Sequence, residues 1–339
     1  MLKNLLLLLI YFVSSQPIVA IDPFKRLKYN QKYFIASVNH HVIPSLYMIN
    51  LSPDSTLNIS FNSISRIDSN IPNIKTGLLL SGKIGPLSFF IEPVFSNAKY
   101  GLSDLGSEYS RNNISGRFEN AFINYKIDNI TLRLGRASIW WGQSLYNSII
   151  QSGHFPSYDH FLFRSKTKNL YFELLFGQLD SRKLDNGGRI KRNLGGHRLI
   201  WNINKKLTVT IGEKIIYTGK NRGIELTYIN PFVPYFITGL EGDEENYPND
   251  NDNSIIFSDF RYVIKPSLSL YGELIIDDYQ LDNTGVDNAL GMKIGFDGKI
   301  RLFEKSLYWI FEWTKISPWT YIHYGQFTSW EQKGHPIGF

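Results

Sequence analysis

From Leu57 onward, apolar and polar residues alternate in segments of roughly eight to twelve residues closed by turn residues, the spacing of strands in a barrel or sandwich. The late segments show it best. Over 268–277, Leu268, Leu270, Leu274 and Ile276 share one face, with Ser269, Tyr271, Glu273 and Asp277 on the other. Over 290–297, Leu290, Met292, Ile294 and Phe296 oppose Gly291, Lys293, Gly295 and Asp297. Over 307–315, Leu307, Trp309, Phe311 and Trp313 oppose Tyr308, Glu312 and Thr314. A soluble sandwich alternates too. Here, however, Glu273, Lys293 and Glu312 suit a wet lumen, with the large aromatics turned to lipid.

Short turns are predicted at Asp128-Asn129, Asn204 to Lys206, Thr218 to Asn221, Lys265-Pro266 and Gly298 to Glu304. Long polar segments run over 97–115, 138–167, 178–196, 230–254 and 278–288. Outer-membrane barrels keep short turns in the periplasm and long loops outside. That parity fails at one place, since 178–196 falls on the periplasmic side. Either that loop is a periplasmic excursion or a strand is hidden, with 145–150 a candidate. The expected fold is all-β, an antiparallel transmembrane β-barrel of about sixteen strands, with an incomplete barrel left open.

The chain begins with Lys3, an apolar run from Leu5 to Val13, and small residues Ser14, Ser15 and Ala20. This is the layout of a secretory signal peptide, and the run is too short to cross a bilayer. We assign residues 1–20 to the signal and 21–339 to the barrel, although residues 21–56 pattern poorly and would also fit a plug segment. No later run of eighteen apolar residues exists, so helical spans are excluded. Aromatic residues make up 15% of the chain, with 20 Tyr, 23 Phe and 7 Trp, which suits aromatic girdles and a lipid-facing band. Cysteine is absent, which removes disulfides, thiolate nucleophiles and Cys-ligated metals. The net charge of +6 is modest and unclustered, so nucleic acid is not a predicted partner. No metal or cofactor is implied.

Leu134-Gly-Arg-Ala-Ser-Ile-Trp-Trp-Gly142 resembles the G-R-x-x-x-W-W-G signature of the Wzi capsule-assembly family, in the form found in Bacteroidetes. Collinear with it are Phe155-Pro156, Gly196-His-Arg-Leu199, the run from Leu207 to Glu213, Asn221-Arg-Gly-Ile-Glu225 and Asn230-Pro-Phe-Val-Pro-Tyr235. Leu270-Tyr-Gly-Glu-Leu-Ile-Ile-Asp-Asp278 completes the set, and the resemblance covers roughly 75–339. It implies an outer-membrane lectin barrel, without enzymatic activity, that holds capsular polysaccharide at the surface of a Gram-negative cell. Its implied partners are that polymer and outer-membrane lipids, and a monomer is expected. The tail Gly334-His-Pro-Ile-Gly338 before Phe339 is unlike a closing strand, because Pro336 donates no ladder bond. It resembles an internal loop of the family, so a fragment lacking its final strands is expected.

Candidate chemistry centres on the W-W-G element. Trp140 and Trp141 offer indole faces for sugar C–H groups, and Arg136 a fork of donors for hydroxyls or carboxylates. The competing reading makes both tryptophans girdle anchors and Arg136 a lumen charge paired with a glutamate. His154, Tyr158, His160 and Arg164 follow in a predicted loop, either as a polymer-contacting surface or as ordinary loop packing. The acidic stretch from Glu241 to Asp252 lacks the oxygen order of a calcium loop and reads as solvated loop. Asp277 and Asp278 are neighbours on a strand, so they point apart, and lumen carboxylates paired with Lys293 or Arg261 explain them and Glu273 more simply than a glycosidase pair. His40-His41 diverge for the same reason. A porin-like channel is the alternative function. A glycan-processing enzyme would need two carboxyl groups converging in an outer cleft.

Overall fold

The structure, a computed structural model, describes residues 9–11, 47–52, 55–68, 71–96, 109–112, 114–145, 147–153, 155–184, 187–219, 222–235, 252–278, 288–302, 305–322 and 327–338. The expected signal segment apart from Leu9–Tyr11, the pair His40-His41, His154, the acidic stretch up to residue 251 and Phe339 lie outside the described residues.

The strands are β1 (Leu9–Tyr11), β2 (Tyr47–Ser52), β3 (Ser55–Asp68), β4 (Ile71–Ile84), β5 (Leu87–Ser96), β6 (Tyr109–Arg111), β7 (Ile114–Ile127), β8 (Ile130–Ala137), β9 (Tyr158–Lys166) and β10 (Leu170–Gln178). They continue as β11 (Arg182–Lys183), β12 (Arg189–Ile190), β13 (Arg192–Asn202), β14 (Leu207–Thr218), β15 (Asn253–Lys265), β16 (Leu268–Asp278), β17 (Ala289–Leu302), β18 (Lys305–Ile316), β19 (Glu331–Gln332) and β20 (His335–Pro336). Sixteen form one antiparallel sheet, in the order β1-β18-β17-β16-β15-β14-β13-β10-β9-β8-β7-β5-β4-β3-β2, with β6 added beside β7. The pairs β11–β12 and β19–β20 are separate hairpins. Among the described residues no ladder joins β1 to β2, the two ends of that path. No helix of the described residues is long and apolar enough to cross a membrane.

The sheet has sixteen strands only with β1, which lies within the expected signal segment, so residues 21–339 contribute fifteen, close to the expected count. The alternation in β16 to β18 holds. Two predictions need correction. The segment 138–167 is not a single loop, because its last part is β9, paired with β8 and β10. The missed strand is therefore at Tyr158–Lys166 and not within 145–150. The predicted short turn at Thr218 to Asn221 is the second correction, because no strand follows it in 222–235 and it opens the single β14–β15 connection. With both changes every long connection, including 179–191 between β10 and β13, leaves the same end of the sheet.

Which residues face out settles the environment. Ile123, Leu134 and Phe161 lie opposite one another across β7, β8 and β9 and are exposed, Leu134 by 67%. Ile211, Met292, Ile294 and Trp313 are likewise exposed on their strands. On the alternate face Arg164, Glu173, Arg198, Lys214, Glu273 and Lys293 are buried. Apolar side chains outside with paired charges inside is the reverse of a water-soluble sheet and is the arrangement of a barrel in lipid. The interior nevertheless departs from a simple wet lumen. At the end where the long connections leave, inward Leu162, Leu175, Ile255, Phe257 and Ile275 share one dry cluster with residues of two inserted segments.

Candidate functional site

Those inserted segments are 138–157, between β8 and β9, and 317–338, after β18. Together they plug the interior. Trp141, Ile149 and Ile150 from the first and Trp330 and Ile337 from the second have almost no accessible surface. The two segments are stitched by backbone bonds: Ser152 N–H donates to the Ile337 carbonyl at 2.9 Å, and the Tyr321 hydroxyl donates to the Ile149 carbonyl.

A plug inside a barrel carries many backbone polar groups away from water, and each needs a partner. Inward strand charges supply them. The Glu273 carboxylate accepts from Ser144 N–H at 2.7 Å, Ile149 N–H at 2.9 Å and the Ser148 hydroxyl at 2.9 Å. Lys293 donates to the Asn147 carbonyl and to Glu312 at 3.1 Å, and Lys214 donates to the Ile150 carbonyl. Gln143 donates to Asp259 at 2.7 Å. Asp277 accepts Tyr321 N–H at 2.6 Å. Burial first, and then the Glu273 and Asp277 charges, push the Tyr321 hydroxyl well above its usual pKa, so it remains a donor. Arg192 donates to the carbonyls of Phe327 and Ser329 at 2.5 Å, fixing the second segment to β13.

The motif glycines now have a physical reason. Gly142 sits at φ +120°, and a Cβ there would lie 2.0 Å from Ser148 Oγ and 2.4 Å from Glu273 Oε1. Gly196, on β13, leaves room for the Trp141 ring, whose Cη2 would be 2.8 Å from an added Cβ. Trp141 then packs on Phe257 with ring centroids 5.6 Å apart and lies 4.8 Å beneath the Arg198 guanidinium.

The predicted site residues separate into three places. Trp141, Tyr158, His160 and Arg164 are interior. The Tyr158 hydroxyl accepts from Gln151 at 2.9 Å, His160 Nδ1 lies 3.0 Å from the Tyr158 carbonyl, and Arg164 meets Glu173 at 2.6 Å, which also binds Arg198 at 2.8 Å. Tyr158, His160 and Arg164 are inward positions of β9, with Leu162 between the last two, and not loop residues. Arg136 and Trp140 are at the rim. Arg136 is not a lumen charge, because it shares the outward face with Asp159 directly opposite, and the two form a two-bonded ion pair at 3.0 and 2.5 Å. Trp141 is not a girdle anchor, while Trp140 is half-buried. His154 lies outside the described residues. Arg261 pairs with Asp297 and Lys293 with Glu312, while Glu273 and Asp277 hold plug backbone.

Sequence reasoning passed over Gln143, Ser144, Ser148 and Gln151, the polar half of the plug, and Trp319, which is exposed in the turn after β18. Lys333, at the tip of the β19–β20 hairpin, is held below the usual lysine pKa first by burial and then by the nearby charges of Arg136 and Arg117. The same plugged end therefore gathers aromatic surface and cations.

A family model described as capsule assembly protein Wzi matches residues 57–338. The chain belongs to the Wzi capsule-assembly family. Among solved structures it is similar to Wzi of Escherichia coli, described as an outer-membrane protein involved in group 1 capsule assembly and a carbohydrate-binding β-barrel. The likeness has a TM-score of 0.58 at 14% identity, over 96% of this chain and 68% of that one. It establishes the barrel fold of this Wzi-family chain. OmpT, an outer-membrane protein of Vibrio cholerae, is a weaker likeness at TM-score 0.38 and 9% identity, over 81% of this chain and 90% of that one. No curated protein sequence matches the chain.

Proposed function

We propose that this protein sits in the outer membrane of a Gram-negative cell as a monomer and binds capsular or extracellular polysaccharide at its plugged end, helping to attach the capsule without catalysis. The observation that carries the reading is the plug. Segments 138–157 and 317–338 fill the interior at the long-connection end, and wall charges satisfy their backbone. A filled interior favours a binding face over the porin-like alternative. Glu273 and Asp277, two of the carboxylates that suggested a glycosidase, are occupied in holding the plug. Short turns at one end and long connections at the other orient the plugged end outward.

On this reading the polymer meets the rim. Trp140 and Trp319 offer stacking faces, the Arg136–Asp159 pair offers donors and acceptors, Lys333 adds positive charge, and His154 is retained from the sequence. Trp141, Tyr158, His160 and Arg164 act behind that face, holding its shape. The test compares a strain lacking the gene with one complemented by it. Total polymer should be unchanged while the cell-associated fraction falls and the shed fraction rises. An unchanged cell-associated fraction would sink the proposal. Planar-bilayer recordings should show no steady conductance, and a stable open channel would restore the porin reading.

A further inference from the structure

The outer face is not uniform around the barrel. On β14 the outward positions run Leu207, Val209, Ile211, Glu213, Ile215 and Tyr217. Ile211 is 58% exposed, as a lipid-facing residue should be, yet Ile215 and Tyr217 are fully buried. They are covered from outside. The start of the β14–β15 connection, residues 222–235, folds back as a strap over the outer ends of β13 and β14. Tyr228 packs on Tyr217 with ring centroids 4.7 Å apart, and Tyr235 packs on His197 at 4.6 Å. The Tyr217 hydroxyl donates to the Gly223 carbonyl at 2.9 Å, and Tyr235 N–H donates to Glu213 at 2.8 Å. Arg222 clamps the base through paired bonds to Glu225 and Asp252.

Below the strap lies a cleft of about 450 Å³, within the size range of ligand pockets. Its floor is a single rung of the sheet, Phe172 opposite Leu199 opposite Ile211, with Ile256 beside it. Pro231 and Phe232 of the strap form its upper wall. The next rung outward is polar, His197 directly opposite Glu213, with His197 Nε2 3.8 Å from Glu213 Oε1. His197 Nδ1 is buried and has no partner among the described residues. The strap in turn displays Ile224, Leu226 and Phe232, the last 91% exposed. An apolar slot continuous with the lipid-facing band, closed on the outer side by a strap and capped by the polar side chains of His197 and Glu213, fits a hydrocarbon chain with a polar junction.

We propose that this cleft holds one acyl chain of an outer-leaflet lipid, whose hydroxyl or amide near the chain–head junction meets His197 and Glu213. The proposal rests on the reading that these strands span the outer membrane. Glu213 disfavours a phosphate at that point, so the junction and not the headgroup charge is recognised.

The full chain in nanodiscs of phosphatidylethanolamine carrying a photoactivatable diazirine in one acyl chain tests this, with labelled positions mapped by mass spectrometry. Several-fold more label is expected at Leu199, Ile211 and Phe232 than at Leu134 and Met292, which are also outward and exposed but border no cleft. Leu199→Trp, which fills the slot, should bring the strap label down to that background. A probe chain bearing a hydroxyl next to its carbonyl should label more than a plain chain, and Glu213→Leu should abolish that preference. Equal labelling at all five positions overturns the cleft while leaving the membrane reading intact. Labelling at none of them overturns both.

Discussion

Two connections leave the same end of this barrel and go opposite ways. The β8–β9 segment turns in and becomes the plug, whereas the β14–β15 segment turns out and becomes the strap. The inner one is held by carboxylates and ammonium groups projecting from the walls, chiefly Glu273, Lys214 and Lys293. The outer one is held by tyrosine rings and one guanidinium clamp. The difference follows from what each must satisfy. Inside, loop backbone has no water and takes its partners from charged side chains. Outside, the strap must present apolar surface to hydrocarbon while fixing itself through hydroxyls, and tyrosine does both.

If that division is right, breaking the inner set should cost most. Glu273→Leu strands two backbone N–H groups, while the Ser148 hydroxyl keeps the Trp141 carbonyl, and it isolates nothing of the strap. We expect destabilisation of about 3 kcal/mol, seen as lost resistance to denaturant and as new protease cleavage within 138–157. An unaltered plug would show that Glu273 is dispensable. Trp141→Ala removes a fully buried indole and should cost about 3 kcal/mol or more, with bilayer conductance appearing as the plug loosens. Arg222→Ala should cost about 1–3 kcal/mol, local to the strap. Hydrogen exchange ought to rise over 222–235 and stay unchanged over 138–157, and a rise in both would dissolve the distinction. Arg136→Ala is the mildest, because its exposed ion pair contributes about 0–1 kcal/mol to stability. Its effect should appear only as reduced polymer retention on cells.

Legibility in the sequence followed how many partners each residue has. In β16 to β18 one face meets lipid and the other meets wall charges, so Glu273, Lys293 and Trp313 could be placed from period two alone. β9 escaped notice because its inward positions are Tyr158, His160, Leu162 and Arg164, a mixture set by the plug above and the Arg164–Glu173 pair below. The glycines of the W-W-G element were recognisable as a motif, yet the clash that demands Gly142 involves Glu273, more than a hundred residues away in the sequence. The strap did leave a trace. Ile215-Ile216-Tyr217 is an unbroken apolar run, the mark of a strand covered on both faces, and here the strap supplies the second cover.

The plug joins chain segments far apart in sequence, since Ser152 and Ile337 meet across 185 positions. Contacts of such long range form late, after the loop entropy between them has been met. A nascent barrel would thus pass through a leaky stage, with its wall assembled and its stopper unseated. Insertion into dye-loaded vesicles should then produce a burst of efflux that ends by itself as segment 317–338 docks.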